Sequence, residues 1–227
     1  MFFKSFLQTL PVCMGYLSLG ATFGILFATD LNLSWFYALL MALFVYAGAG
    51  QLLLVSLIAL KAGFIQIAIA SFFLNIRHIF YSLSILETIK SFGLSKYYIL
   101  FGLTDETFAI LKTHKDAHNL NQKELEKSYF YITIFNHFYW VIGCMLGVFI
   151  GKNLSFKPQG IEFTLTALFS VLTLSLLYQQ KSKIPFYAGI FIGIFGLLFF
   201  PSKYFLILSL LAGIIFLLLA KRWIKYE

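Results

Sequence analysis

Residues 204–220, YFLILSLLAGIIFLLLA, run for 17 positions without one charged side chain. A helix or strand on a soluble protein would show polar residues at period 3.6 or 2, and this stretch shows neither. In lipid the backbone must satisfy its hydrogen bonds within the segment, so such a run is a membrane helix. Comparable runs occupy approximately 6–27, 34–60, 63–86, 97–111, 128–150, 161–179 and 185–200. The whole chain shares the bias: of 227 residues 60% are hydrophobic and 11% charged, against about 25% charged in a soluble domain. The runs do not alternate at period 2, which argues against a β-barrel. The expected fold class is all-α, a polytopic integral membrane protein of about eight transmembrane helices, or seven if the short fourth run does not cross. Some helices are expected to be discontinuous, and residues 1–227 are expected to form a single transmembrane transporter domain.

Charge sets the orientation. If all eight runs cross, the loops on the side of the N-terminus hold eleven cations: Lys4, Lys61, Lys112, Lys115, Lys123, Lys127, Lys181, Lys183, Lys221, Arg222 and Lys225. The opposite loops hold five, Lys90, Lys96, Lys152, Lys157 and Lys203. The positive-inside rule then places both termini in the cytoplasm. The net charge of +8 is spread over loops and chain end rather than gathered with aromatics, so nucleic acid is not an expected partner. Cys13 and Cys144 lie inside apolar runs and read as small buried thiols. Lys4 and the run after it resemble a signal peptide, but Pro11, Gly15, Gly20 and Gly24 interrupt it and further spans follow, so it reads as an uncleaved first helix.

Three places break the apolar pattern. The second run contains Ala47-Gly48-Ala49-Gly50-Gln51, two helix-weakening glycines beside an amide, read equally well as a close helix contact or as a site. The third contains Asn75-Ile76-Arg77-His78, and an arginine at this depth must be paired or face water. Its structural alternatives are snorkelling to the headgroups or pairing with an acid such as Asp105. The short fourth run carries Asp105-Glu106 at its middle, where one carboxylate could pair with Arg77 or His78 while the other faces a cavity as a proton site. Asn136-His137 with Tyr139 and Trp140 reads as the interfacial opening of the fifth helix. Residues 112–127 read as a solvated loop, and the His114/His118 pair within it is too little for a metal site; no metal or cofactor is expected. Gly15, Gly20 and Gly24, and Gly189, Gly193 and Gly196, read as close helix contacts. One internal echo is visible: Gly20-Ala-Thr-Phe-Gly24, Asn32-Leu-Ser34 and Ala42-Leu-Phe44 return as Gly143-Cys-Met-Leu-Gly147, Asn153-Leu-Ser155 and Ala167-Leu-Phe169.

Taken in order, Leu10-Pro11, Gly15-Tyr16, Gly20 to Gly24, Val45 to Gln51, Asn75-Ile76-Arg77-His78 and Thr104-Asp105-Glu106-Thr107-Phe108 resemble the AzlC family, the large subunit of bacterial branched-chain amino acid exporters. The resemblance covers residue 10 to about 150; the last third matches in hydropathy only. It implies export of leucine, isoleucine and valine across the cytoplasmic membrane, driven by an ion gradient, with a small four-span AzlD-like membrane subunit as partner. Physical reasoning about the residues adds the roles. Gly48, Gly50, Gln51, Asn75 and Arg77 are expected to bind substrate, and His78, Asp105 and Glu106 to couple its movement to protons. Two rivals remain at this point. A membrane-embedded enzyme would need a nucleophile with its base, and no Gly-x-Ser-x-Gly or His-Glu-x-x-His motif is present. A channel or non-transporting subunit would use the same charges only to hold helices together.

Overall fold

The computed structural model describes residues 2–117, 120–153, 182–201 and 204–220, with isolated helical positions between 163 and 177. The chain is all-α, with no strand among the described residues. In order the helices are α1 (Phe2–Leu26), α2 (Trp35–Leu40), α3 (Gly48–Ala59), α4 (Phe64–Asn75), α5 (Arg77–Ile89), α6 (Ser95–Phe101), α7 (Asp105–Ala117), α8 (Gln122–Asn153), α9 (Ile184–Phe199) and α10 (Phe205–Ala220). Among the described residues, three stretches, Phe2–Leu31, Phe64–Ile89 and Gln122–Asn153, are long and apolar enough to cross a membrane. Trp35–Val45, Gly48–Ala59, Ile184–Phe199 and Leu208–Ala220 are shorter apolar helices. The sixth expected span, 161–179, lies outside the described residues apart from those isolated positions, as does His118.

The chain divides into two compact units. One comprises residues 1–61 and 74–161, the other 62–73 and 162–227. The first is built on α1 and α8, which touch backbone to backbone through glycines. A Cβ on Gly24 would overlap Cys144 O and a Cβ on Gly147 would overlap Ala21 O. Gly20 lies against Gly143 and Cys144, and Gly151 against Ile25 and Ala28, so contacts advance together along both helices and the two run parallel. Lipid offers no hydrophobic drive for helix association, so close van der Waals approach over small residues is what joins them. Ser5 and Ser128, 123 positions apart, share a hydrogen bond of 3.1 Å at the same seam. Gly20 faces Gly143 and Gly24 faces Gly147 at the same offset, which seats the two echoing glycine blocks on each other. Parallel repeats about an axis along the membrane normal would meet in this way. The later parts of the second echo, from Leu154 onward, fall largely outside the described residues. Gly15 takes no part, with nothing within 4 Å of a Cβ placed there.

A buried apolar cluster ties α5, α6, α7 and α8 together: Ile85, Ile89, Phe92, Ile99, Leu103, Leu111, Tyr129 and Ile132. In the second unit, Gly196 of α9 packs closely on Ser209 and Phe205 of α10, while Gly189 and Gly193 meet nothing within 4 Å among the described residues.

Three runs that hydropathy reads as single segments are interrupted. Run 34–60 is α2, a π-helical turn at Met41–Val45, and α3. The interruption falls at Tyr46, whose φ is 43°, so the glycines at 48 and 50 begin the second half-helix rather than break the first. Run 63–86 is α4 and α5, which join at Ile76 through helical backbone angles (φ −57°, ψ −27°), a local distortion rather than a full break. Run 97–111 is α6 and α7, parted at Gly102-Leu103-Thr104, so Asp105 and Glu106 occupy a helix's first turn and not the middle of a span. Thr104 explains this start: its Oγ1 accepts the Thr107 N–H at 3.2 Å, capping a helix whose first turn is acidic, as the positive end of a helix dipole favours. Residues 112–117 and 122–127, expected as loop, extend α7 and begin α8. In lipid, freed backbone groups need partners. The Ala42 carbonyl of the π-turn accepts from His137 Nε2 at 3.2 Å, and the Tyr46 N–H reaches Met41 O at 3.2 Å.

Candidate substrate and coupling site

The interruptions in α2/α3, α4/α5 and α6/α7 meet the middle of α8 and α1 within the first unit. Arg77, first residue of α5, holds Asp105, first residue of α7, through Nη2 and Oδ2 at 2.8 Å. Their side chains are 27% and 28% exposed, so the pair is reachable rather than sealed. Ile76 keeps helical backbone angles, φ −57° and ψ −27°, so Arg77 sits at a one-residue distortion within Phe64–Ile89. Tyr81 lies beside Asp105 and stacks on Phe108 with ring centroids 4.7 Å apart, forming an aromatic wall.

Glu106 takes a different partner. Its Oε2 accepts from the Tyr16 hydroxyl at 2.8 Å, and Tyr16 Oη lies 2.5 Å from Thr104 Oγ1. Thr104 and Thr107 hydroxyls are 3.0 Å apart, and Asn136 Nδ2 donates to Thr107 Oγ1 at 3.0 Å. Glu106 is exposed, while Thr107 and Asn136 are fully buried.

Gly48, Gly50 and Gln51, in the first turn of α3, lie against Trp140 of α8 and Asn75 of α4. A Cβ on Gly48 would come within 2.9 Å of the Trp140 ring, and one on Gly50 within 3.0 Å of the Asn75 amide, so both glycines permit close approach. Gln51 is fully buried, and its Oε1 accepts from Trp140 Nε1 at 2.7 Å. Trp140 in turn meets Tyr16 edge-on at 5.6 Å. His78 lies on the rim: its Nδ1 bonds to Asn75 O at 3.0 Å, and with Ile79, Ser82, Leu83, Leu86 and Leu100 it lines a shallow groove.

The eight residues singled out by sequence thus sit around one junction, with Asp105 and Glu106 given to different partners. Sequence reading missed the supporting set of Tyr16, Tyr46, Thr104, Thr107, Asn136, His137 and Trp140. Asn136, His137 and Trp140 do not open the fifth helix at the interface. α8 begins 14 residues earlier, at Gln122, and all three are buried in its middle. Their recurrence with Thr133 and Cys144 every three or four residues was a signal for one polar inner face. His137 fastens the break in α2/α3, since Tyr98 Oη bonds to its Nδ1 at 2.8 Å and its ring lies 4.4 Å from that of Tyr46.

Buried side-chain atoms lacking a hydrogen-bond partner gather around this junction: Tyr46 Oη, Gln51 Nε2, Arg77 Nε, Asp105 Oδ1 and Asn136 Oδ1. Two are donors, two are acceptors and one can be either, a set suited to a ligand bearing both charges. The Trp140 contact fixes which end of Gln51 is the donor. Trp140→Phe should therefore leave a buried acceptor unpaired and lower stability by about 1–3 kcal/mol, read as a lower midpoint of thermal unfolding in detergent.

Against known families, residues 11–154 match the AzlC protein family, well over half of the chain. The chain belongs to the AzlC family. The match includes every residue of the junction described above. Among AzlC relatives, an "Uncharacterized membrane protein" of Helicobacter pylori (strain ATCC 700392 / 26695) is 33% identical over 99% of this chain and 96% of its own length. The "Branched-chain amino acid transport protein AzlC" of Bacillus subtilis (strain 168) is 29% identical over 93% of this chain and 82% of its own. The "Inner membrane protein YgaZ" of Escherichia coli (strain K12) is 26% identical over 95% and 89%. No solved structure matches the chain.

Proposed function

We propose that this AzlC-family membrane protein is the large subunit of a secondary exporter of branched-chain amino acids, working with a small four-span AzlD-like subunit in the bacterial cytoplasmic membrane. The observation that carries this reading is the Arg77–Asp105 pair at the junction of interrupted helices, with an unpartnered donor on one residue and an unpartnered acceptor on the other. An amino acid zwitterion carries the same two charges as that pair. Its carboxylate takes Arg77 and its ammonium takes Asp105, so each charge exchanges one partner for another and the site's net charge is unchanged. A neutral amino acid suits such an exchange better than an acidic or basic one. Gln51 Nε2 supplies a further donor to the carboxylate and Asn136 Oδ1 an acceptor to the ammonium, while Gly48, Gly50 and Asn75 set the width of the opening. Tyr81 and Phe108 present the apolar wall an aliphatic side chain needs. Interrupted helices at the site are a common device of transporters, because half-helices can tilt about a break.

Glu106 and His78, which hold no strong charge partner, carry the proton whose inward movement drives the outward step. Both termini lie in the cytoplasm, in keeping with eleven cations against five in the two sets of loops. The relative named for branched-chain amino acid transport supports the substrate class.

The test is efflux of preloaded labelled leucine from cells expressing the chain with and without a small four-span partner, each with and without a proton uncoupler. A fluorescent protein that matures only in the cytoplasm, fused to the C-terminus, reports both amount and orientation. Faster efflux that needs the partner and fails with the uncoupler is expected, with a fluorescent fusion. Unchanged efflux from a well-expressed pair would leave Arg77–Asp105 as a clamp between helices.

A further inference from the structure

Laid end to end, α2 with its π-helical turn and α3, or α6 with α7, would be long enough to cross a membrane, so length does not decide their path. Their contacts do. α6 climbs α8 from its beginning. The Gly93 N–H and the Ser95 hydroxyl donate to Glu126 Oε1 at 2.9 and 2.5 Å, and Gln122 bonds to Ser91. Further along, the Tyr98 ring lies 5.6 Å from that of Phe130 and the Phe101 ring 5.7 Å from that of His137. The turn follows at Gly102, where a Cβ would overlap Thr133. α7 then descends: Thr107 accepts from Asn136, and the Leu111 carbonyl accepts from the Tyr129 hydroxyl, each at 3.0 Å. It ends at Ala117, shortly before Gln122 opens α8. α6 and α7 therefore enter and leave at one face, the face where the parallel helices α1 and α8 begin and Ser5 meets Ser128. The α2/α3 pair repeats this from the other face. α1 reaches that face with its π-helical extension Phe27–Leu31, at the level where Gly151 of α8 meets Ala28. The chain turns at Asn32, φ 50°, and runs inward until the Ala42 carbonyl meets His137 and the Tyr46 ring lies 6.3 Å from that of Phe101. Gly48 lies against Trp140, yet α3 packs on Phe27–Leu31. Trp140 and Gly151 are about 16 Å apart along α8 at about 1.5 Å per residue. A helix leaving Gly48 for the face of Gln122 would move away from Phe27–Leu31, so α3 returns to the face from which α2 came.

We propose that α2/α3 and α6/α7 are re-entrant hairpins that enter the membrane from opposite faces and meet tip to tip at the Arg77–Asp105 junction. The crossings then fall from eight to six: α1, Phe64–Ile89, α8 and the three apolar runs that follow α8 in the sequence. Both termini stay on one face. The loop charges, which played no part in these contacts, agree. Lys61 moves to the far face and Lys90 and Lys96 to the near one, so eleven cations against five become twelve against four. Non-helical backbone at membrane depth is tolerated where protein covers it, and Tyr46, Leu103 and Thr104 at the two tips are buried. α3 and α7 both begin at a tip, so two positive helix ends face the membrane centre, where Asp105 and Glu106 lie. One hairpin thus stands between the site and each face. None of this rests on the exporter reading.

The test is labelling of single cysteines by a membrane-impermeant maleimide, in cells expressing the chain with Cys13→Ala and Cys144→Ala. Lys123→Cys and Lys152→Cys, at exposed positions near the two ends of α8, mark the two faces. Lys61→Cys, at the base of the α2/α3 hairpin, is expected to label with Lys152→Cys. Lys90→Cys, before the α6/α7 hairpin, is expected to label with Lys123→Cys. One set should react in intact cells and the other only after the membrane is opened. If all eight runs crossed, both assignments would reverse. Lys61→Cys labelling with Lys123→Cys would overturn the α2/α3 hairpin, and Lys90→Cys labelling with Lys152→Cys would overturn the α6/α7 hairpin. Lys61 and Lys90 are exposed, so neither change disturbs packing, and Leu94→Cys, 86% exposed, repeats the second arm on the same loop. Labelling of every variant after denaturation shows that the protein is present. No amino acid enters the measurement, so a chain that moves no leucine would still show the hairpins, and reversed labelling would leave leucine export to its own assay.

Discussion

Arg77→Gln should lower leucine transport by about 30-fold or more, because truncating one partner of a hydrogen-bonded charge pair costs about 2 kcal/mol or more of binding. Glutamine is shorter, with two N–H donors in place of five, and lacks the charge that holds a carboxylate. Protein amount should change much less. The pair is more than a quarter exposed on both sides, and partly solvated ion pairs contribute only about 1 kcal/mol to stability. Asp105→Asn added to Arg77→Gln should restore whatever stability an unpaired carboxylate removes, without restoring transport. Measuring transport and membrane content for both singles and the double separates the two roles: recovery of transport in the double would assign the pair to helix clamping.

Gly24→Leu and Gly147→Leu should be more damaging to the fold than any change at the junction. Even a methyl at either position would overlap a backbone carbonyl across the α1–α8 seam, Cys144 O in one case and Ala21 O in the other. Backbone cannot rotate away as a side chain can, so the helices must separate. The cost should exceed the usual range for overpacking, about 1–3 kcal/mol, and parted helices would also lose the Ser5–Ser128 and Thr9–Tyr139 bonds. Detergent-solubilised protein should elute as aggregate or be missing from the membrane. Gly15→Leu, at a position with open space, is the matched control and should behave as wild type.

Hydropathy made the membrane class legible at once, because nothing but lipid suits a chain this poor in charge. It could not show where spans are interrupted. Tyr46 adopts a left-handed conformation that no local rule assigns to tyrosine, whereas Gly48 and Gly50, which look like breakers, are small because Trp140 and Asn75 press on them. The start of α7 was readable: Gly102, then Thr104 before Asp105 and Glu106, is a capping residue ahead of an acidic first turn. Averaging apolar character across 97–111 concealed it. The pairing of Arg77 with Asp105 could be anticipated from two opposite charges too costly to leave alone in lipid. Tyr16, Tyr46 and Thr107 could not, since a hydroxyl in an apolar run has the same spacing whether it bonds to its own helix or to another. Asn136 and Trp140 were visible as polar groups but were placed at an interface, because the length of α8 beyond its apolar core was not apparent.

On the proposed reading, one site at the Arg77–Asp105 junction holds both ends of a zwitterion. Calorimetric titration of the purified protein, alone and with the proposed small subunit, with leucine, with leucinamide and with 4-methylpentanoate tests it most directly. The first compound has both charged groups, the second lacks the carboxylate and the third lacks the ammonium. Binding of leucine, with each analogue weaker by about 100-fold or more, roughly 2.7 kcal/mol, is the predicted result. Leucinamide or 4-methylpentanoate binding as tightly as leucine would contradict it.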